Sequence, residues 1–245
     1  MAEIPSPDIP IPSRVRELAR GARLTPVWIN DLGGLTFRAT DADSTRFIKY
    51  EAHNAEWSVE AEVERLRWVA PFTPVPRVIE FGRNETHAWL VTEGLAGESA
   101  VSPRWRSDPA TAVRAIGQGL RALHDALPVA QCPFRWDVPG RLATAAARGI
   151  RVPAALHEPP PVDRLVVCHG DACAPNTLIS DAGTWSGHVD LGSLGIGDRW
   201  GDLASAALST QWNYGPGWED ALVDAYGIDP DPERMQYYQA LWNAT

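Results

Sequence analysis

Three early stretches, Leu24–Asn30, Leu35–Thr40 and Arg46–Tyr50, alternate apolar with polar residues. A period of two sends successive side chains to opposite faces of a sheet, so the alternation predicts antiparallel strands. Residues 31–36, which include Gly33 and Gly34, form the first turn between them. Ahead of these strands, Ser13–Gly21 predicts a short helix with Ser13 as N-cap and Gly21 as its stop. The period then changes to that of a helix. Val59, Val63, Leu66 and Val69 make one stripe of a helix predicted over Glu56–Ala70. Strands at Arg77–Gly82 and His87–Thr92 bring the sheet to five, and the connector Glu93–Gly97, with two glycines, leads out of it.

Beyond the connector the helical period dominates. Pro109–Leu127 carries Val113, Ile116, Leu120, Leu123 and Leu127 at spacings of three and four, which predicts the buried spine of a second lobe, with His124 as a structural residue in it. A further helix is expected at Arg141–Gly149, and three more at Trp200–Trp212, Trp218–Tyr226 and Pro232–Trp242. The segment His157–Asp163 holds Pro159, Pro160 and Pro161 and must be a rigid loop. The class is therefore α+β in two lobes. Residues 1–93 form an antiparallel five-stranded sheet lobe, 94–97 a hinge, and 98–245 a mostly helical lobe.

Composition narrows the function. A chain of 245 residues that is 44% hydrophobic has ample material for a core. A net charge of −9 argues against nucleic acid as a partner, because phosphates demand a basic face, and it favours a cationic ligand by steering. Cys132, Cys168 and Cys173 are neither even in number nor spaced as a zinc pair, so a reducing, cytoplasmic setting is expected. The first residues hold Pro5, Pro7, Pro10 and Pro12 and predict an extended arm without a signal-peptide core. No apolar run approaches a membrane span, and a monomer or dimer is expected.

Candidate chemistry concentrates between Val166 and Asp190. Leu165–Cys168 is β-branched and too short for a helix, so it predicts a buried strand emptying into His169, Gly170 and Asp171. Asn176 follows five residues after Asp171, and Asp190 closes the next segment in Val189-Asp190-Leu191-Gly192. Taken singly, Asp171 and Asn176 are turn caps. Together, two carboxylates and an amide at strand ends suit Mg²⁺ and a substrate hydroxyl, with Asn176 and Asp190 as metal ligands and Asp171 as the base. Lys49 shares a strand face with Phe47; it is either an edge-strand lysine or a grip on donor phosphates. Gly33 and Gly34 are either a plain hairpin or a turn open to a phosphate. His169 and a buried Asp198 are expected to support the Asp171 loop, with Asp198 accepting backbone N–H groups.

The run HGDACAPN followed by VDLGSLGIGDRWGDLA resembles the aminoglycoside phosphotransferases, antibiotic kinases of protein-kinase-like fold, and the likeness extends from about Asn30 to about Leu241. The resemblance implies that Lys49 holds the phosphates of ATP or GTP and that Glu60 orients Lys49, with Glu64 and Glu56 as rivals. It further implies that Thr92 and Gly94 offer backbone groups to the purine. Ser193, where such proteins commonly carry arginine, Arg199, Glu158 and Asp163 are expected on the acceptor side. The stretch before His169 is expected to be shorter than in the 3'- and 3''-phosphotransferases, and Leu241–Thr245 lacks their acidic cluster. The implied activity is O-phosphorylation of an antibiotic hydroxyl, foremost an aminoglycoside. A capuramycin-like nucleoside, a macrolide, a viomycin-class peptide and a small metabolite are the alternative acceptors, and a non-catalytic pseudokinase is the alternative of another class.

Overall fold

The structure is a computed structural model that describes residues 5–54 and 57–245. The chain divides into two compact units, one comprising residues up to Pro71 with Pro76–Leu95, the other Phe72–Val75 with Ala96–Thr245. The passage from Leu95 to Ala96 lies inside the glycine-containing connector. Residues 72–75, expected in the sheet lobe, belong instead with the second unit, where the Pro74 carbonyl accepts the His188 N–H at 3.2 Å.

In the first unit, α1 (Ser13–Ala19), β1 (Arg23–Ile29), β2 (Leu35–Thr40), β3 (Thr45–Ala52), α2 (Val59–Val69), β4 (Val78–Arg83) and β5 (His87–Glu93) follow one another. The five strands are antiparallel in the order β1-β2-β3-β5-β4. Strand alternation divides the labour of the two faces. Phe37, Ala39, Ile48, Trp89 and Val91 point to one side and bury against Val15, Leu18 and Ala19 of α1. Lys49, next to Ile48, points to the other. Helix α2 begins at Val59 rather than at Glu56, which lies outside the described residues, and the Ser58 hydroxyl caps it by accepting the Ala61 N–H at 3.3 Å.

In the second unit, β6 (Glu98–Ser99), α3 (Pro103–Arg106), α4 (Pro109–Ala126), α5 (Val138–Ala147), β7 (Leu165–Cys168), β8 (Thr177–Ile179), β9 (Trp185–His188), β10 (Gly195–Asp198), α6 (Arg199–Tyr214), α7 (Glu219–Tyr226) and α8 (Pro232–Ala244) follow. Every residue of α6 from Trp200 to Thr210 is buried, and α4 buries its apolar stripe together with His124, so these helices form the core. Gly117 of α4 is required by close approach: a Cβ there would lie 2.7 Å from the Leu222 carbonyl of α7. Two small antiparallel sheets, β7–β10 and β6–β8–β9, carry the loops of interest at their ends. The expected plan of a five-stranded antiparallel sheet unit followed by a mostly helical one is the plan observed.

Candidate active site

β7 ends at Cys168, and the chain turns through His169 and Gly170 into Asp171. Gly170 has φ +83°, and the position a Cβ would take lies 2.2 Å from the Ser193 carbonyl oxygen, so only glycine fits. The turn is held by its backbone. The Asp202 carboxylate of α6 accepts the His169 N–H at 2.6 Å through Oδ2 and the Gly170 N–H at 2.9 Å through Oδ1. The Trp136 indole N–H donates to the Gly170 carbonyl at 3.0 Å. Asp202 Oδ2 is also 3.0 Å from His124 Nε2, and His124 Nδ1 lies 2.8 Å from the Tyr226 hydroxyl. Asp202 and His124 are fully buried.

This arrangement corrects one expectation. Asp198, not Asp202, was the residue expected to hold the loop. Asp198 caps α6 instead, accepting the Trp200 N–H at 3.1 Å and the Asp163 N–H at 2.8 Å, and burial raises its carboxyl above the ordinary value. The reason is helical geometry: Asp198 sits at the N-cap, while Asp202 lies one turn into the helix, on the face that packs beneath β7.

His169 is buried and its ring has a defined tautomer. Nε2 lies 3.0 Å from the Val189 carbonyl, which only accepts, so Nε2 carries the proton and Nδ1 accepts the Asp171 N–H at 3.3 Å. The histidine thus ties the segment before Asp190 to the Asp171 loop. A backbone bond from Val189 N–H to the Asn176 carbonyl, 3.0 Å, ties it a second time. Asn176 Nδ2 donates to the Asp171 carbonyl at 3.0 Å and to Asp171 Oδ2 at 3.1 Å. Its amide oxygen is therefore the group turned to other business. Asp190 is exposed and adopts φ +61°, one of two non-glycine residues with positive φ among those described. Burial, and then the neighbouring Asp190 carboxylate, raise the Asp171 carboxyl above its ordinary 3.8. A carboxylate so raised is better suited to receive a proton. An amide oxygen and a carboxylate beside it form an all-oxygen donor set, the kind that Mg²⁺ takes together with phosphate oxygens.

In the first unit Lys49 Nζ lies 3.0 Å from Glu62 Oε2, and the pair is nearly buried, with side-chain exposures of 19% and 5%. The Trp57 indole N–H also donates to Glu62, and Lys49 lies over the Trp57 ring at 4.9 Å. The expected partner, Glu60, is exposed and faces Arg83 at 3.4 Å, and Glu64 is exposed as well. With the helix starting at Val59, position 62 falls on the buried face with Val59, Val63, Leu66 and Val69, while position 60 lies about 100° around from Val59.

On the nucleotide side, several of the expected N–H groups have partners within the sheet unit. The Asn30 side chain accepts the N–H groups of Leu32 at 3.1 Å and Gly34 at 2.7 Å, and the Asn30 carbonyl takes that of Gly33 at 3.0 Å. With these donors turned inward, the Gly33–Gly34 turn closes as a hairpin. Gly94 donates its N–H to the Thr45 carbonyl at 2.8 Å, and Thr92 lies in the central strand β5, paired with Phe47 and Val78.

The acceptor-side residues separate. The Ser193 backbone abuts Gly170, and its side chain is exposed beside the Asp171 loop. Arg199 and Asp163 form an ion pair at 2.6 Å, with the Trp200 indole N–H also on Asp163 at 2.9 Å. They lie at the Leu165–Asp198 end of the β7–β10 ribbon, whereas the Asp171 loop leaves the Cys168–Gly195 end. Their charges are engaged with each other, at the end of the ribbon opposite the Asp171 loop. Glu158 is exposed, just past a 3-10 turn at Ala154–His157. Nearer the Asp171 loop is Arg141 of α5, whose guanidinium stacks on Trp136 at 4.9 Å and Trp242 at 5.2 Å. Burial lowers its pKa, and the Asp171 charge acts in the opposite direction.

Residues 29–238 match the family described as "Phosphotransferase enzyme family". An aminoglycoside 3'-phosphotransferase of Streptomyces ribosidificus is 34% identical over 243 residues, covering 86% of this chain and 91% of the relative. Among solved structures, aminoglycoside-3'-phosphotransferase of type VIII superposes with a TM-score of 0.77 at 29% identity, covering 94% of this chain and 97% of that one. Aminoglycoside phosphotransferase APH(3'')-Id of Streptomyces rimosus, in complex with ADP and streptomycin, superposes with a TM-score of 0.65 at 26% identity, covering 86% and 92%.

Proposed function

We propose a reaction for a chain that belongs to the phosphotransferase enzyme family, and within it to the aminoglycoside phosphotransferases: transfer of the terminal phosphoryl group of ATP or GTP to a hydroxyl of an aminoglycoside. The observation that carries this reading is the Asp171 loop. A carboxylate with a raised pKa, aimed by Asn176 and fixed through Asp202 and Trp136, is a base in a defined place. In the proposed step the acceptor oxygen forms a bond to the γ-phosphorus as the bond to the bridging oxygen breaks. The hydroxyl proton passes to Asp171, and the nucleoside diphosphate leaves. Lys49, oriented by Glu62, would hold the donor phosphates. Asn176 and Asp190 would hold Mg²⁺, which supplies charge neutralisation at those phosphates. Such chemistry depends on positioning and electrostatics more than on covalent participation.

The ADP and streptomycin bound to the S. rimosus relative support a nucleotide donor and an aminoglycoside acceptor. The net charge of −9 favours a polycationic acceptor by long-range attraction. No helix among the described residues is long and apolar enough to cross a membrane. Among the described residues no disulfide joins Cys132, Cys168 and Cys173.

The test is nucleoside diphosphate release with ATP and with GTP across a panel of aminoglycosides, macrolides, nucleoside antibiotics and choline. Release with aminoglycosides is expected, and Asp171→Asn is expected to fold normally while losing about 10² or more in kcat, the scale of general-base catalysis. A near-normal rate in that variant sinks the assignment of Asp171, and release with only non-aminoglycoside acceptors sinks the substrate class.

A further inference from the structure

We infer that Tyr226, the last residue of α7, is a positioning residue for the Asp171 loop: its O–H, donated to His124 Nδ1, orients the ring that donates to Asp202. The inference deepens the phosphotransferase reading and rests on it for its kinetic part. It starts from helix packing. Gly117 and His124 are seven residues apart on α4, roughly two turns, and so share one face. At Gly117 that face has no side chain, and a Cβ there would lie 2.7 Å from the Leu222 carbonyl oxygen and 3.0 Å from the Tyr226 backbone nitrogen. Helix α7 therefore lies close against α4. The Tyr226 and His124 rings meet edge to face, with centroids 5.5 Å apart and planes at 68°. Both residues are buried, at 1% and 3% exposure, and in that setting each proton needs an acceptor.

The Asp202 carboxylate takes a backbone N–H on each oxygen, from His169 at 2.6 Å and Gly170 at 2.9 Å, so toward His124 it is an acceptor. His124 Nε2, 3.0 Å away, carries the hydrogen. Nδ1 then has two options. In an imidazolium it would donate to the Tyr226 oxygen, 2.8 Å away, and the phenol proton would need a second acceptor. Among the described residues, the hydrogen bond of this hydroxyl is the one to His124. In the neutral ring Nδ1 accepts the phenol O–H, and every proton has a partner. The series runs from the Tyr226 O–H through the His124 ring to Asp202 Oδ2, the oxygen that also receives the His169 N–H. Without the phenol oxygen Nδ1 loses this partner, and the ring is free to rock and to carry the Asp202 carboxylate with it. That carboxylate holds the two amides immediately before Asp171. Slack there displaces the base from the acceptor hydroxyl, a misplacement to which transfer rates are highly sensitive.

The experiment combines NMR of the histidine ring nitrogens, amide exchange, and steady-state kinetics of the full chain with nucleotide and an accepted aminoglycoside. In the wild-type protein the His124 ring, assigned by its loss in His124→Gln, is expected to show a protonated Nε2 and an unprotonated Nδ1. A doubly protonated ring or an Nδ1–H form overturns the inference, whether or not any variant folds. Tyr226→Phe keeps the ring and removes the O–H. It is expected to speed amide exchange at His169 and Gly170 and to lower kcat about five- to tenfold at unchanged KM, the equivalent of one modest hydrogen bond. Wild-type kcat, a change confined to KM, or unaltered exchange at both amides overturns the inference. His124→Gln keeps an N–H donor for Asp202 but has no tautomer to set, so adding Tyr226→Phe to it is expected to change kcat by less than about twofold. A loss of about five- to tenfold on that addition overturns the inference, because the effect would then not pass through His124. If the wild-type protein transfers no phosphoryl group to any acceptor, the functional reading falls, while ring protonation and amide exchange, which need no substrate, still decide the role of Tyr226.

Discussion

Replacement of Asp202 by asparagine should damage fold and catalysis together. The Asp202 carboxylate is fully buried and accepts three hydrogen bonds, from His169 N–H at 2.6 Å, Gly170 N–H at 2.9 Å and His124 Nε2 at 3.0 Å. Removing the whole side chain would orphan three buried donors, at about 1–3 kcal/mol each. With partial relaxation of those donors, about 4 kcal/mol is expected for Asp202→Ala, a large share of the roughly 5–15 kcal/mol of a typical domain. Asparagine keeps the shape and one acceptor oxygen but turns an NH₂ toward a backbone N–H, and about 2–3 kcal/mol is expected for Asp202→Asn. Urea unfolding at neutral pH should show the midpoint falling without a change in slope. Amide exchange at His169 and Gly170 should accelerate in the same variant. A loss below about 1 kcal/mol, with both amides still protected, would refute the role given to Asp202.

The same carboxylate makes an acid-stability prediction. Burial pushes its pKa up, but the His124 hydrogen bond and the neighbouring charges and N–H groups outweigh it, and the net shift is downward from 3.8. With the folded value below the unfolded one, the unfolded state binds more protons as acid is added. The contribution is therefore present above about 3.8 and lost as pH falls through the folded value. The stability gap between wild type and Asp202→Asn should close in that window.

Glu62→Gln is expected to lower kcat/KM for nucleotide by about 10- to 100-fold, the worth of a charged hydrogen bond, whereas Glu60→Gln should stay near wild type because its ion pair is exposed; the reverse ranking would reinstate Glu60. Gly170→Ala combines a positive φ with a 2.2 Å approach to the Ser193 carbonyl, so soluble, active protein from that variant would show that the loop is not fixed as described. Asp190→Asn should weaken nucleotide binding in the presence of Mg²⁺ and leave binding in chelator unchanged, as calorimetry would detect; equal losses in both conditions would remove Asp190 from the metal site.

Much of the fold was legible because periodicity is a local signal. The alternation at Leu35–Thr40 and the stripe at Val113, Ile116, Leu120 and Leu123 each correspond to an observed element. The cluster of Asp171, Asn176 and Asp190 was legible because its members are close in sequence and joined by short turns. Failures came where a residue's role depends on which helical face it occupies. Glu62 shares the buried stripe of α2, and its position between Val59 and Val63 was the signal, passed over in favour of Glu60, which the family resemblance implies. Asp202 was obscured by Asp198, an equally plausible acceptor until the helix start is known. Gly33, Gly34 and Gly94 are a different case. Their N–H groups are consumed by Asn30 and Thr45, contacts that no pattern of residue types in the chain discloses.

Asp190 stands in a backbone region that L-residues adopt only at a cost, with φ +61°. Were fold stability alone selecting the residue, glycine would be the natural occupant, as it is at Gly170 with φ +83°. A carboxylate kept at such a position marks a trade between robustness and chemistry. It follows that a laboratory search for hardier variants of this protein would be drawn to glycine or asparagine at position 190. The variants it favoured there would be the ones that had given up the proposed metal site.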